Sequence, residues 1–248
     1  MSSYEETLIS VDHVQSNALA ERKVWDLPVR IFHWSLVGAV IAAFVTNKLG
    51  VRYFKFHVWA GYTVIVLVAF RLVWGLVGTR HARFWNFLRG PLETLTYARD
   101  LVAGKDRGYP GHNPLGALMV LALLAALGAQ SVLGLFGNDE IYNVGPLYGA
   151  VSKEFSLVLT SIHRQLFYWL AGAIALHVLA VVAHKIFKNE NLVRAMITGR
   201  KPHHAVPDGE AIHSSRLWLA ILLAAGLAAG LAFIVLHAPA AAADAGDF

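Results

Sequence analysis

Five histidines lie inside otherwise apolar stretches of this 248-residue chain: His33, His57, His163, His177 and His184. Ionisable side chains in such stretches are rare and are candidates for function. His163 and His177 are 14 residues apart, which on a helix is about 40° short of four full turns. The two imidazoles therefore share one helix face, with a rise of about 21 Å between them.

Paired imidazoles indicate two kinds of metal chemistry. Two histidines that converge from facing helices fill both axial positions of a haem iron, which then transfers electrons and keeps no open position for dioxygen. Neutral imidazole also suits zinc, copper and nickel ions. Metal transport usually adds carboxylate or sulfur ligands, and the apolar stretches that carry these histidines contain no Asp or Glu. The residue types favour haem, with a haem-free metal-transporting helical membrane protein as the alternative.

The elements that must position these histidines are apolar runs long enough to cross a bilayer. There are five: Ile31–Thr46, His57–Val77, Leu115–Phe136, Ile162–Phe187 and Leu217–His237. A spanning helix needs about 20 mostly apolar residues, and Leu27–Arg30 extends the short first run. Only 15% of the residues are charged, against about 25% in soluble domains. We predict an all-α membrane protein, with a four-helix transmembrane haem-binding bundle and one extra C-terminal transmembrane helix.

The segments between the spans complete the predicted organisation. The predicted parts are a flexible cytoplasmic tail (1–23), the four-helix domain (24–200), a cytoplasmic linker (201–216), an accessory helix (217–237) and a disordered periplasmic tail (238–248). The last span is predicted to be accessory because it carries no ionisable residue between Leu217 and Leu236. Asn138–Ser161 is the longest external loop, placed where it would cap a site.

Basic residues outside the spans set the orientation. Fifteen of the 21 Lys and Arg residues lie in segments on one side, and four lie on the other. Because basic residues concentrate in cytoplasmic loops, we predict a cytoplasmic N-terminus and an external C-terminus. His33 and His177 then form an inner pair, and His57 and His163 an outer pair. His184 follows His177 by seven residues, about 20° from the same face, and is an alternative inner ligand.

The absence of cysteine excludes several other redox designs. The chain has no Cys, so it has no disulfide framework, iron–sulfur cluster, thiolate zinc site or thioether-attached haem. The net charge of +5 is explained by basic residues that flank the spans and set their orientation in the membrane. We therefore predict no nucleic-acid partner.

Arginines and glycines near the histidines have two interpretations each. Arg164, beside His163, is placed to pair with a propionate of an outer haem, and Arg71 or Arg30 with one of an inner haem. Each of these arginines could equally anchor its helix at the membrane interface. Gly38, Gly61 and Gly172 leave gaps in the helix surfaces that suit a flat macrocycle or close helix packing.

Three stretches of the sequence resemble a known family. They are WDLPVRIFHW at the first span, HVWAGYTVIVLVAFRLVWG in the second, and HRQLFYWLAGAIALHVLAVVAHKIFKNENLVRAMITG in and after the fourth. Together they resemble the bacterial cytochrome b561 family, which includes the b-type subunits of nickel–iron hydrogenases, over residues 24–200. The resemblance implies two b haems. It implies that His33 and His177 bind the cytoplasmic-side iron and that His57 and His163 bind the periplasmic-side iron, which favours His177 over His184.

The resemblance also implies a role in respiratory electron transfer. It implies a multi-pass inner-membrane cytochrome that connects the quinone pool, ubiquinone or menaquinone, with a periplasmic redox protein such as a c-type cytochrome. The alternative is a membrane-anchoring subunit of a hydrogenase or a similar periplasmic complex, although hydrogenase subunits space their fourth-span ligands more widely than 14 residues. A homodimer is compatible with either. Quinol oxidation would make the protein a quinol-linked oxidoreductase subunit, and relaying electrons alone would make it a carrier.

Overall fold

The computed structural model describes residues 21–105 and 108–240. The regular structure of these residues consists of eight α-helices and two short strands, with 3₁₀ turns between them. In chain order they are β1 (Glu21–Lys23), α1 (Leu27–Lys48), α2 (Phe54–Val77), α3 (Phe84–Phe87), α4 (Pro91–Val102), α5 (Pro114–Leu135), α6 (Lys153–Phe187), α7 (Leu192–Thr198), β2 (Arg200–Pro202) and α8 (Leu217–Leu236). The predicted tails lie outside the described residues over 1–20 and 241–248.

Within the described residues, five helices are long and apolar enough to cross a membrane: α1, α2, α5, α6 and α8. A bilayer offers no water to the peptide groups, so a spanning segment must satisfy its hydrogen bonds internally, as a helix does. Each helix coincides with one of the five predicted runs, and Leu27–Arg30 does extend the first of them. The all-α membrane fold is therefore confirmed.

The fourth spanning helix begins earlier than predicted. The sequence predicts a loop up to Ser161, but α6 starts at Lys153 and runs for 35 residues, about 52 Å at 1.5 Å per residue. Its first turn is capped by Ser152, whose side chain accepts a hydrogen bond from the Phe155 amide at 3.3 Å. A polar first turn has low hydropathy, so an apolar run does not mark where such a helix begins.

The chain divides into two compact units. Of the described residues, the first contains 21–30, 74–105, 108–118 and 180–217, and the second contains 31–73, 119–179 and 218–240. The second unit holds most of the apolar length of the spanning helices. The first holds both strands and the short helices α3, α4 and α7.

An antiparallel strand pair organises the first unit. Glu21 pairs with Pro202 and Lys23 with Arg200, so the end of the predicted flexible tail and the start of the predicted linker form β1 and β2 instead. Gly199 precedes β2 with a φ of 79°, and a side chain there would lie 2.7 Å from the carbonyl oxygen of Trp25. Three-residue strands are too short to show a hydrophobic alternation, which is why the sequence did not indicate them.

A buried carboxylate links α1 to the end of α2 in the same unit. Asp26 is 1% exposed. Its Oδ1 accepts the Val29 amide at 2.7 Å, and its Oδ2 accepts the Trp74 indole N–H at 3.1 Å and the Thr79 hydroxyl. Asp directly before an apolar helix is a typical N-cap, and here the second oxygen also satisfies two donors from elsewhere in the unit.

Candidate functional site

His57 and His163 face each other in the second unit. His57 lies in the first turns of α2, and His163 lies in the third turn of α6. Their ring centroids are 6.2 Å apart and the ring planes are nearly perpendicular, at 83°. The structure therefore brings together the two histidines predicted as the outer pair.

Backbone carbonyl groups fix the orientation of both rings. The Nδ1 of His57 donates a hydrogen bond to the Ala43 carbonyl oxygen, and the Nδ1 of His163 donates one to that of Gln130, each at 2.8 Å. A carbonyl oxygen only accepts, so Nδ1 carries the proton in each neutral ring. The lone pair that can bind a metal is then on Nε2 in both histidines, as is usual for histidine ligands held by an outer hydrogen bond.

The side chain of Gln130 contacts the same imidazole at its other nitrogen. Its amide nitrogen lies 3.2 Å from Nε2 of His163, to which it donates. Its amide oxygen is buried and has no hydrogen-bond partner among the described residues. Gln130 is not among the residues predicted from the sequence, although an amide side chain inside the apolar run of α5 is a signal that the sequence offers.

His33 and His177 form the second pair. His33 lies in the second turn of α1 and His177 in the last third of α6, and their ring centroids are 6.5 Å apart. The Nδ1 of His33 is buried and has no hydrogen-bond partner in the part of the chain that the structure describes. The structure therefore also brings together the predicted inner pair.

The separation of the rings within each pair suits one metal atom between them. A metal bound at about 2 Å by one nitrogen of each imidazole sets the ring centroids roughly 6 Å apart. The observed separations are 6.2 and 6.5 Å. The two imidazoles of each pair could therefore hold one haem iron between them.

The glycines of the spanning helices differ in the space around them. A side chain placed at Gly38, Gly61 or Gly172 would meet no atom within 4 Å. Gly134 differs, because a Cβ there would lie 3.2 Å from the His163 ring. Of the first three, Gly61 lines a cavity together with His57 and His163 and fits the close approach of a flat macrocycle. Gly134 gives the His163 imidazole its place against α5.

The His57–His163 pair lines a cavity of about 310 Å³. Gly61 and Arg164 line it with the two histidines. The loop between α5 and α6 contributes several lining residues, among them Asn138, Asp139, Asn143 and Pro146. The loop therefore covers this pair from one side, in the capping position that the sequence indicated.

Asp139 holds that loop in shape. Its Oδ1 accepts hydrogen bonds from the backbone amides of Ile141, Tyr142 and Asn143 at 2.8 to 3.0 Å, and its Oδ2 accepts the Asn143 side-chain amide at 2.6 Å. Desolvation on its own would raise the pKa of this carboxyl, but these donors outweigh it and hold the pKa well below its usual range. The carboxylate is therefore ionised at physiological pH and keeps the turn closed.

The predicted arginines have three different environments. Arg164 is exposed and lines the cavity beside His163. Arg71 is 3% exposed on α2 and is not part of the cavity lining. Arg30 donates to the carbonyl oxygen of Ile197 in the first unit, so its guanidinium is engaged by the end of α7.

His184 has partners of its own. Its Nδ1 lies 3.1 Å from Oε2 of Glu190, and Lys201 donates to the other oxygen of Glu190 at 2.7 Å. Desolvation by itself would raise the pKa of Glu190, but the adjacent Lys201 and His184 lower it. His184 therefore belongs to an ion-pair cluster of the first unit, whereas His33 lies against His177.

Comparison with known proteins gives one family. The family described as "Prokaryotic cytochrome b561" matches residues 24–199. A probable Ni/Fe-hydrogenase B-type cytochrome subunit of Rhodobacter capsulatus is 24% identical, over 72% of this chain and 80% of its own. The corresponding subunit of Rhizobium leguminosarum bv. viciae is 25% identical, over 72% and 87%. The probable Ni/Fe-hydrogenase 1 B-type cytochrome subunit of Escherichia coli K12 is 23% identical, over 76% and 94%. No solved structure matches significantly.

Proposed function

This chain belongs to the prokaryotic cytochrome b561 family, and we propose that it binds two b haems and transfers electrons between the quinone pool and a periplasmic redox protein. Membership makes it a multi-pass bacterial membrane cytochrome of the b type, with haem b as its cofactor. The haem-free, metal-transporting alternative is therefore set aside.

The observation that carries this proposal is the presence of two separate imidazole pairs at metal-ligand spacing. We assign His33 and His177 to one haem iron and His57 and His163 to the other. A b haem with two imidazole ligands supplies a reversible one-electron centre without an open coordination position. The protein's own residues hold the four ligands on three helices and cover the outer pair with the α5–α6 loop.

The residues around His163 prepare it for coordination. The Gln130 carbonyl keeps the proton on Nδ1, which raises the basicity of Nε2 and fixes the ring. The Gln130 side chain donates to Nε2, so it must release this nitrogen before a metal binds there. Arg164, which lines the same cavity, supplies a cation for a propionate.

Replacing Gly134 with valine tests how far α5 supports the outer pair. The first atom of the new side chain would lie 3.2 Å from the His163 ring, so we expect the ring to be displaced and haem occupancy to fall towards one per chain. The matched control is Gly226→Val on α8, where a Cβ meets nothing within 4 Å. Haem-to-protein ratios of the purified variants measure the effect, and equal ratios for both would contradict it.

The proposed orientation places the His57–His163 pair near the periplasm. The charge asymmetry of the loops supports a cytoplasmic N-terminus and a periplasmic C-terminus. With that orientation, electrons leave through the outer pair to a periplasmic acceptor such as a c-type cytochrome. Ubiquinol or menaquinol is the proposed donor.

Quinol-driven reduction in proteoliposomes tests this route. We expect a short-chain ubiquinol to reduce the haems anaerobically and externally added cytochrome c to reoxidise them. In His57→Ala, we expect the quinol to reduce the remaining haem while electron transfer to cytochrome c is lost. Haems that quinol leaves oxidised, or a His57→Ala variant that reduces cytochrome c at the wild-type rate, would overturn the proposed route.

A second candidate function comes from the printed names of the relatives. These relatives are hydrogenase cytochrome subunits, so the chain would anchor a periplasmic hydrogenase or a similar complex and receive its electrons. Affinity purification from native membranes distinguishes the two functions. A stoichiometric large periplasmic oxidoreductase subunit supports the anchor, and a chain that purifies without one supports the quinol-linked carrier.

A further inference from the structure

A second cavity, of about 470 Å³, lies in the first unit, and none of the four paired histidines lines it. Three arginines line it: Arg80, Arg83 and Arg89. Its other ionisable lining residues are two histidines, His81 and His112, one tyrosine, Tyr109, and one acidic residue, Glu210. The three guanidinium groups against one carboxylate give the cavity a positive charge, and the proposed electron transfer uses none of these residues.

The two histidines build the wall of this cavity. His81 donates from Nε2 to the carbonyl oxygen of Glu210 at 2.8 Å. Burial lowers the pKa of His81, which keeps the ring neutral in that role. The imidazole of His112 lies between the rings of Trp25 and Phe87, with centroid distances of 4.7 and 4.8 Å. The cavity is therefore a structured feature of the unit.

The arginines are available to an anion. Arg80 contacts Glu210 at 3.0 Å and Arg89 contacts Glu93 at 3.3 Å, but both pairs are substantially exposed. Exposed pairs contribute little stability, so these guanidinium groups exchange partners at small cost. Arg83 lies over the Trp85 ring at 5.6 Å, and its Nε is buried without a hydrogen-bond partner among the described residues.

The surroundings of the cavity indicate a membrane ligand. The three arginines follow Val77, the last residue of spanning helix α2, by three, six and twelve residues. Trp85, Leu92 and Leu95 in the same stretch are 56%, 78% and 69% exposed. Tryptophan and leucine side chains exposed beside basic residues are typical of a surface that contacts lipid headgroups and the upper acyl chains.

We propose that this cavity binds a phosphate group, presented in the membrane by the headgroup of an anionic phospholipid. Guanidinium forks match phosphate oxygens in charge and geometry. Basic pockets on the cytoplasmic side of helix bundles bind such headgroups. The exposed apolar residues beside the cavity favour a lipid over a soluble phosphate as the source.

Native mass spectrometry of the haem-loaded, delipidated protein tests this site. Phosphatidylglycerol is titrated into the wild type, into Arg83→Gln/Arg89→Gln and into the control Arg99→Gln, which removes an exposed α4 arginine outside the cavity. We expect the double variant to bind phosphatidylglycerol about tenfold more weakly and Arg99→Gln to bind like the wild type. Haem content and elution volume report whether each variant is folded.

Two further ligands show which part of phosphatidylglycerol the cavity binds. Diacylglycerol, which lacks the phosphate, is expected not to bind at the concentrations at which phosphatidylglycerol does. Inorganic phosphate that displaces the lipid in the wild type but has no site in the double variant would support the phosphate site and assign it to a soluble ligand. Equal phosphatidylglycerol binding by the double variant and the wild type, or an equal loss in Arg99→Gln, would overturn the proposal.

Discussion

The His177→Ala variant is expected to purify with one b haem per chain where the wild type carries two. The imidazole of His177 is the partner of His33 at 6.5 Å, so its removal leaves that iron with one protein ligand. The His57–His163 pair is separate and keeps its haem. A pyridine haemochrome assay against protein concentration measures the change.

His184→Ala is the matched control for that variant. It removes the same side chain from the same helix, seven residues further on, but from a group that contacts Glu190 at 3.1 Å. We expect it to keep the wild-type haem content. A His184→Ala variant that loses a haem, together with a His177→Ala variant that keeps both, would reverse the ligand assignment.

Asp26→Ala is expected to be the most destabilising substitution outside the histidine pairs. It leaves the Trp74 indole, the Thr79 hydroxyl and the Val29 amide without their shared acceptor in a buried site. Each buried donor left unsatisfied costs about 1–3 kcal/mol, so we expect a loss of at least about 3 kcal/mol. For a chain of this size that lowers the melting temperature by roughly 10 °C.

Asp208→Ala provides the comparison for this variant. Asp208 pairs with Arg22 but is 89% exposed, and surface pairs contribute about 1 kcal/mol or less. The melting temperatures of the two variants in detergent are compared. They are measured by size-exclusion chromatography of samples heated to a series of temperatures. A melting temperature for Asp26→Ala within a few degrees of that for Asp208→Ala would show that the buried carboxylate does not hold α1 to α2.

The spanning helices were predictable because the bilayer imposes a simple requirement on the sequence. A run of apolar residues of sufficient length has few alternatives to a helix, and each of the five runs forms a helix. The start of α6 at Lys153 was not predictable from hydropathy, since its first turns are polar. The pairing of β1 with β2 joins segments nearly 180 residues apart, and neither segment has a periodic pattern.

The histidines of the candidate site were also accessible from sequence, because helical spacing places His163 and His177 on one face. Their immediate environment was not. Three features depend on how separate segments pack. They are the contact between Gln130 and His163, the close approach of His163 to Gly134, and the contact between His184 and Glu190. Sequence spacing gives the angle between residues of one helix, but it does not give the neighbours that another segment supplies.

The haem stoichiometry of the wild-type protein tests the central claim most directly. Protein purified from cells with ample haem supply is quantified by pyridine haemochrome, and its reduced spectrum is recorded before and after addition of carbon monoxide. Two b haems per chain with a spectrum that carbon monoxide leaves unchanged are predicted, because imidazole fills both axial positions of each iron. One haem per chain, or a spectrum that shifts with carbon monoxide, would contradict the two histidine pairs.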